Sequence, residues 1–397
     1  MVASTATKGY PATTVADLIS LAGVSRATFY ELFDDKADCF RTTVRTLFGA
    51  GLALIRHRLD GPGNPTERSE RALGSFLKLT ASQPAASRMS LVDAYSAGSA
   101  GLEPINETFE EACEIAHEAM QMLPNRGRIP AEISRAVIGG LHRVIYIHLY
   151  QGRADDLLDN CDELWRWAYG YEPPDGLPTP RRRPRVAQAP VPFAGRDSHE
   201  RILRAFARAT SAQGFPKVTI PQVAAEAGTS NATFYKHFEN KDDALLAALD
   251  LSGTQLIAAA LPAARRAPTW PEAIRRAIES MCGFLVAEPA FAELRIVQAY
   301  AAGPVALAHR DQAWEAVVDE LVPAEIRRQP SPVVWEASAG AMYALLYERV
   351  RRDQLEKLIE LPPLLSYLVL APVIGTEEAI AVAAGPPSRH ASVARNL

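Results

Sequence analysis

The chain has 397 residues, of which 48% are hydrophobic and 22% charged, and its formal net charge at pH 7 is −4. The composition is that of an ordinary globular protein, and the length predicts two to four domains. The slight excess of acid argues against a protein that coats nucleic acid with its whole surface, whereas a few local cations suffice for a smaller binding site.

Cysteine spacing and hydropathy narrow the class further. The four cysteines lie far apart and form no Cys-x-x-Cys pair, so neither a zinc site nor a disulfide framework is indicated. The N-terminus lacks an apolar targeting core, and the most apolar late stretch, Leu361 to Ile374, is short and interrupted by prolines. We therefore expect a cytoplasmic protein that does not span a membrane.

The first predicted element is a pair of helices joined by a glycine. Thr14 is an N-cap residue, and the apolar side chains that follow it recur at helical spacing as far as Ala22. Gly23 stands where a tight turn needs a left-handed residue. Ser25 then caps a second helix, in which Phe29 and Phe33 share one face. Two helices, a glycine turn and a polar-tipped second helix predict a helix-turn-helix.

The same design occurs a second time. Thr219 and Gln222 are spaced as a capping box, Gly228 follows the first helix, and Ser230 caps the second helix. Both copies therefore predict a recognition helix whose polar face is free to contact a partner outside the chain.

The combined pattern resembles the DNA-binding segment of tetracycline-repressor (TetR) type regulators, over Thr14 to Lys36 and again over Thr219 to Lys241. The resemblance implies that the first residues of each recognition helix contact bases, namely Arg26, Ala27, Thr28, Asn231, Ala232 and Thr233. It implies that the capping threonines and the residues around the end of each recognition helix contact phosphates of double-stranded DNA, namely Thr14, Tyr30, Lys36, Thr219, Tyr235, His237 and Lys241. The alternative is that these side chains only cap and pack helices.

The repeat extends beyond the two DNA-binding segments. Tyr95 and Tyr300 are separated by the same 205 positions as Phe29 and Phe234, and farther on the offset becomes 200. Two complete units are therefore expected in one chain. We predict helix-turn-helix domains at 1–46 and 198–245, helical regulatory domains at 47–172 and 246–375, a linker at 173–197 and a flexible tail at 376–397.

The linker and the first helix raise two further questions. The Pro-rich linker is either a solvated spacer or an arm that binds DNA through its arginines, namely Arg181, Arg182, Arg183 and Arg185. Only eight residues precede Gly9, whereas His199 to Gln213 predict a full first helix in the second unit. We expect the first helix of the first unit to be missing. Either the start is mis-set or truncated and the true start lies upstream, which we favour, or the first DNA-binding unit is weakened because its small core lacks one wall.

The remaining sequence predicts an all-α fold, because helical periodicity recurs without sustained strand alternation. Helices are predicted in the first half over Arg71 to Gln83, Ser87 to Ser96, Ile105 to Met122, Ala131 to Tyr150 and Asp155 to Tyr169. In TetR-like proteins these helices enclose a ligand pocket and the last two pair with a partner, which implies a small apolar effector. Small residues favour close approach of the penultimate helices at Gly139, Gly140, Ser338, Ala339, Gly340 and Ala341.

The sequence contains no pattern of catalytic residues. His142 and His148 lack metal-ligand spacing, and Met342 and Glu348 take their places in the second half, so core or pocket roles are predicted. We expect no enzyme activity, cofactor or metal. The expected function is a DNA-binding, ligand-responsive repressor, hence nucleoid-associated, that acts as a single-chain pseudodimer. Further homodimerisation is left open. The alternative is a helical module that binds a ligand or protein and has lost sequence-specific DNA binding.

Overall fold

A computed structural model describes residues 1–124, 126–172 and 197–385, apart from the side chain of Ser99, and these residues form helices without strands. The predicted linker arginines, residues 386–397 and Asn125 lie outside the described residues.

The first half contains helices α1 to α10, which span Val2–Ala12, Val15–Ala22, Arg26–Leu32, Lys36–Leu59, Pro65–Ser82, Pro84–Leu91, Ser99–Gln121, Ala131–Tyr150, Asp156–Asp159 and Cys161–Ala168. A 3-10 segment at Asp93–Ala97 stands between α6 and α7. The second half contains helices α11 to α22, which span Ser198–Gln213, Ile220–Glu226, Asn231–His237, Lys241–Ala264, Trp270–Ala287, Pro289–Glu293, Ala299–Ala302, Pro304–Leu321, Ala324–Arg327, Pro332–Arg351, Pro362–Ile374 and Thr376–Ala384. Its 3-10 segments are Phe215–Lys217 and Leu355–Glu360, and Leu294–Gln298 is a π-helix.

Prolines interrupt the helices less than the sequence suggests. Helix α8 has the predicted bounds, but α7 begins at Ser99, ahead of the predicted start at Ile105, and runs through Pro104. Helix α21 is likewise continuous. Pro362 stands at its first position, where no backbone donor is needed, and the helix runs through Pro372 near its end. In α7 a proline removes one backbone hydrogen bond, and burial of Ala100 and Ile105 on either side offsets that loss.

The segment that follows α21 is also ordered. Residues 376–397 were predicted to be a flexible tail, but Thr376–Ala384 forms α22. Ala379 and Ala383 lie one turn apart on this helix and are buried against the second half, where α22 contacts α15 and α21. The tail prediction is therefore wrong for these nine residues.

A short helix stands where the first helix of the first unit was expected to be missing. Helix α1 covers 11 residues and has non-helical backbone at Gly9, whereas its counterpart α11 covers 16. Leu18, Phe29 and Cys39 form a small core apart from the main one. In the second unit, Phe234 belongs to the main core. The first helix-turn-helix unit is therefore the less extensively buried of the two.

The two halves pack against each other through α8 and α20. A Cβ atom on Gly340 would lie 2.7 Å from the carbonyl oxygen of Gly139 and 2.9 Å from Cα of Gly140, so no larger side chain fits there. The predicted close approach is confirmed at these glycines. Trp167 Nε1 donates to Ser338 Oγ at 3.2 Å across the same contact.

Helix α14, Lys241–Ala264, is the one described helix that is long and apolar enough to cross a membrane by length and composition. It packs against α11, α15 and α18, and Leu245, Leu249 and Leu256 are buried in the main core. Its apolar character is explained by this position in the second half.

Candidate nucleic-acid interface

The two recognition helices, α3 and α13, begin in the same way. Ser25 Oγ accepts a hydrogen bond from the backbone N–H of Thr28 at 3.0 Å, and Ser230 Oγ accepts one from Thr233 at 3.1 Å. These bonds satisfy backbone donors that a helix start leaves unpaired. Each helix therefore starts at the first residue predicted to contact bases, Arg26 or Asn231.

Paired phenylalanines fix which face of each recognition helix is buried. The ring centroids of Phe29 and Phe33 lie 5.4 Å apart, and those of Phe234 and Phe238 are separated by the same distance. With this face turned inward, Arg26, Ala27, Asn231 and Ala232 are exposed and Thr28 and Thr233 are partly buried. Tyr30 and Tyr235 are 51% and 59% exposed, although each also makes an edge contact with the preceding phenylalanine.

The helix before each recognition helix is held by its first turn. The Asp17 carboxylate accepts hydrogen bonds from the backbone N–H and hydroxyl of Thr14, at 2.7 and 2.6 Å. Gln222 Oε1 accepts the equivalent pair from Thr219, at 3.1 and 2.8 Å. The hydrogen bond from Lys8, with those from Thr14, lowers the pKa of Asp17 to about 2. The capping threonines are therefore oriented by acceptors within their own helices.

The turn between the two helices needs glycine for its backbone conformation. Gly23 has φ of +67° and Gly228 has φ of +63°, and no atom lies within 4 Å of a Cβ built on either residue. Lack of space is therefore not the reason for glycine here. A left-handed backbone is unfavourable for other residues, so the angle between the two helices depends on these positions.

The sequence profile described as "Bacterial regulatory proteins, tetR family" matches residues 2–43 and 202–249. Each match contains one of the two helix-turn-helix units just described. The chain therefore carries the TetR-family DNA-binding segment twice, in a tandem TetR-like arrangement. It is therefore a DNA-binding transcriptional regulator built from two TetR-like units, each with a helix-turn-helix followed by a helical domain.

Solved structures of transcriptional regulators are similar to about one half of this chain. The fatty acid degradation regulator FadR from Bacillus halodurans is 15% identical, with a TM-score of 0.40, and the match covers 44% of this chain and 95% of that one. FadR from Bacillus subtilis, in complex with stearoyl-CoA, is 16% identical with a TM-score of 0.39, covering 45% and 98%. A TetR family regulator from Marinobacter aquaeolei VT8 is 22% identical with a TM-score of 0.36, covering 44% and 95%. No curated protein matches the chain.

The lysine that closes each TetR-type unit has a structural role that the sequence did not reveal. Lys36 Nζ donates to the backbone carbonyls of Tyr10 and Pro11 at 3.1 and 3.4 Å, and Lys241 does the same to Phe215 and Pro216 at 3.2 and 3.3 Å. Each ammonium also lies over an aromatic ring, 4.4 Å from the centroid of Tyr10 or 4.5 Å from that of Phe215. Because an ammonium has three donors, one remains for a phosphate, and that contact stays a prediction.

The two units differ at the end of the recognition helix. His237 Nε2 lies 2.8 Å from Ser198 Oγ in the first turn of α11, and its ring also packs against His199. Leu32 occupies the matching position in the first unit and is 69% exposed. Lys217, a cation that was not among the predicted contacts, is exposed at the end of the 3-10 segment before α12. Comparison with its counterpart in the repeat, Ala12, would have identified this extra cation.

Proposed function

We propose that the chain binds DNA as a pseudodimer formed within one chain, and that it represses transcription until a small apolar molecule binds. The contact of Gly140 with Gly340 is the main support, because these glycines occupy matching positions in the two halves. In a twofold-symmetric dimer, equivalent residues meet at the axis. Contact between matching positions is what a fused dimer would retain.

Polar contacts add to this pairing. Arg143 of the first half forms an ion pair with Asp311 of the second half, and both side chains are largely buried. Burial alone would raise the pKa of Asp311, but Arg310 and Arg143 together lower it. Asp311 thus pairs with an arginine of each half, Arg310 and Arg143. This pairing supports a defined orientation of the two halves on each other more than it supports a large gain in stability.

Effector control is supported by an apolar cavity of about 140 Å³ in the first half. It lies between α4, α5, α7 and α8, and α8 is also the helix that contacts the second half. A molecule bound in this cavity would contact α8, and a shift of α8 would change how the two units are positioned. Such a ligand changes DNA affinity only if it binds more tightly to one arrangement of the units than to the other.

The pseudodimer is tested by sedimentation together with a gel shift. A single-chain pseudodimer sediments as one chain at nanomolar concentration and still retains DNA containing its operator. A requirement for two chains per operator would contradict the proposal.

DNA binding itself is tested by the dependence of affinity on salt. Each neutralised phosphate contributes a slope of about 0.9 in log affinity against log salt. Binding through both helix-turn-helix units (the two heads) therefore makes the affinity fall steeply as salt is raised. Replacing Arg26 and Asn231 together by alanine should abolish sequence preference while leaving most of this slope. If no DNA fragment is retained at low salt, the chain is instead a helical binding module.

A further inference from the structure

The cavity in the first half has an unusually uniform lining. Phenylalanine, leucine, isoleucine and alanine side chains supply most of its wall, among them Phe48, Leu52, Phe76, Phe109, Ile138 and Ile145. Among the described residues, the lining includes no lysine, arginine, aspartate or glutamate. Polar groups come from Thr108, His142 and Tyr169. The cavity therefore offers apolar contact and a few hydrogen-bonding groups.

In the second half, the equivalent space contains an arginine. Arg295 stands at the repeat position of Ser90, and Gly253 stands at that of Phe48. The Arg295 guanidinium lies 3.3 Å from where a Cβ on Gly253 would be, so the missing phenylalanine makes room for it. The smaller residue on α14 and the larger one on the π-helix are thus complementary changes.

Hydrogen bonds hold this arginine in place. Arg295 donates to the carbonyl oxygen of Leu249 at 3.0 Å, to Ser252 Oγ at 3.1 Å and to the carbonyl oxygen of Arg310 at 2.6 Å. Its side chain is 1% exposed. A buried guanidinium that lost these acceptors would be strongly unfavourable, so a ligand cannot simply displace it.

A second arginine also fills the space in the second half that corresponds to the cavity. Arg310 stands at the repeat position of Ile105, a residue that lines the cavity of the first half. Its guanidinium pairs with Asp311 at 2.7 Å and lies 4.0 Å from the ring centroid of Tyr343. Two apolar or small positions of the first half are therefore arginines in the second half, and both are buried.

We propose that the chain has one effector site, in the first half, for a small uncharged apolar molecule, and that Arg295 and Arg310 have closed its counterpart in the second half. This inference rests on the proposed ligand control. An apolar cavity of about 150 Å³ accommodates benzene, so the size fits one ring or a chain of about six carbons. An ionised ligand is disfavoured because the lining provides no opposite charge. Burial also lowers the pKa of His142 to about 4, so this ring is neutral at pH 7.

The position of His142 connects the site to the second half. Its Nε2 atom lies 3.0 Å from the Tyr95 hydroxyl, and the Tyr95 ring packs on Tyr300 of the second half. The same histidine lines the cavity. A ligand that moves this ring therefore acts on a contact between the halves, so one bound molecule can affect both heads.

Xenon pressure and calorimetry on the full chain test the site. In xenon-treated crystals, xenon should occupy the cavity of the first half and be absent around Arg295. Hexan-1-ol should bind at least tenfold more tightly than hexanoate, and Ala112→Phe, which fills the cavity, should weaken hexan-1-ol binding at least tenfold. If that variant fails to fold, Leu52→Ala provides the second test, because a larger cavity should shift preference tenfold towards octan-1-ol.

Two outcomes would overturn the inference: xenon at matching places in both halves, or equal affinity for the alcohol and the carboxylate. A gel shift with and without hexan-1-ol separates this inference from the proposed function. Binding in the first half without any change in DNA retention would leave the site standing and contradict ligand-controlled repression. If hexan-1-ol changes DNA retention but xenon occupies both halves, ligand control stands and the single site in the first half is contradicted.

Discussion

Tyr95 and Tyr300, which occupy matching positions in the repeat, pack on each other with ring centroids 5.0 Å apart and an interplanar angle of 33°. Their contact lies beside the His142 hydrogen bond on one side and the Tyr300–Tyr347 edge contact on the other. Aromatic pairs of this geometry contribute about 0.5–1.5 kcal/mol beyond the area they bury. The Tyr95–Tyr300 pair therefore contributes to the packing of the two halves, and a change at this contact would alter how they are positioned.

The first prediction concerns the operator. The leading residue of the recognition helix is Arg26 in one head and Asn231 in the other, and arginine suits guanine whereas asparagine suits adenine. We expect an asymmetric operator with two different half-sites. Asn231→Arg should change the preference in one half-site and lose about 1–3 kcal/mol on the original site. Selection from random DNA measures this, with Arg26→Asn as the reciprocal control. Perfectly palindromic selected sites would instead point to pairing between separate chains.

The second prediction concerns the close contact of α8 with α20. Gly340→Val should destabilise the chain by about 1–3 kcal/mol, because the new side chain would meet backbone atoms of Gly139 and Gly140. Urea unfolding measures the loss. Gly283→Ala is the matched control: this helical glycine has open space around it, so the free energy of unfolding should stay level or rise slightly. Equal stability of the two variants would show that the halves do not pack through these glycines.

The third prediction concerns pH. Burial lowers the pKa of His142 from 6.5 to about 4, so the unfolded chain binds a proton that the folded chain does not between these values. The free energy of unfolding is therefore unaffected by protonation of His142 above pH 6.5, and it decreases as the pH falls towards 4. By pH 5 the loss amounts to roughly 2 kcal/mol. His142→Met, which introduces the residue found in the second half, should remove this part of the pH dependence. Parallel unfolding profiles of the two proteins would contradict the assignment.

The fourth prediction concerns the first head. Its small core is separate from the main core, and Leu21 and Leu32 are 63% and 69% exposed. Backbone amides around Phe29 should therefore exchange with solvent faster than those around Phe234. Hydrogen exchange followed by mass spectrometry measures the difference. Leu32→His, which introduces the residue of the second head, should change stability by less than about 0.5 kcal/mol. Equal protection of the backbone amides in both heads would show that the small core of the first head stabilises it as well as the main core stabilises the second.

Local patterns in the sequence account for much of what the structure contains. The two helix-turn-helix units follow from capping residues, turn glycines and helical spacing, all of which act over a few residues. The approach of the halves at Gly140 and Gly340 could be predicted because the repeat placed small residues at matching positions.

Interactions between distant residues could not be predicted in the same way. Lys36 binds the carbonyl of Tyr10 across 26 residues, and no periodicity indicates that contact. Arg295 fills its space because Gly253 leaves room, so its role depends on a partner far away in sequence. Helix α22 is too short for periodicity to distinguish it from a flexible tail, and it is ordered by the packing of Ala379 and Ala383.

The ion pair between Arg143 and Asp311 has no twofold-related counterpart elsewhere in the interface between the halves. The residues at the matching positions are Tyr343 and Asn106, so the contact is made once, whereas a symmetric dimer would make it twice. Two first halves brought together would place Arg143 opposite an uncharged asparagine, and two second halves would place Asp311 opposite a tyrosine. Each half is thus a poor match for its own copy and a good match for the other. The ion pair therefore disfavours assemblies in which like halves of two chains pair with each other.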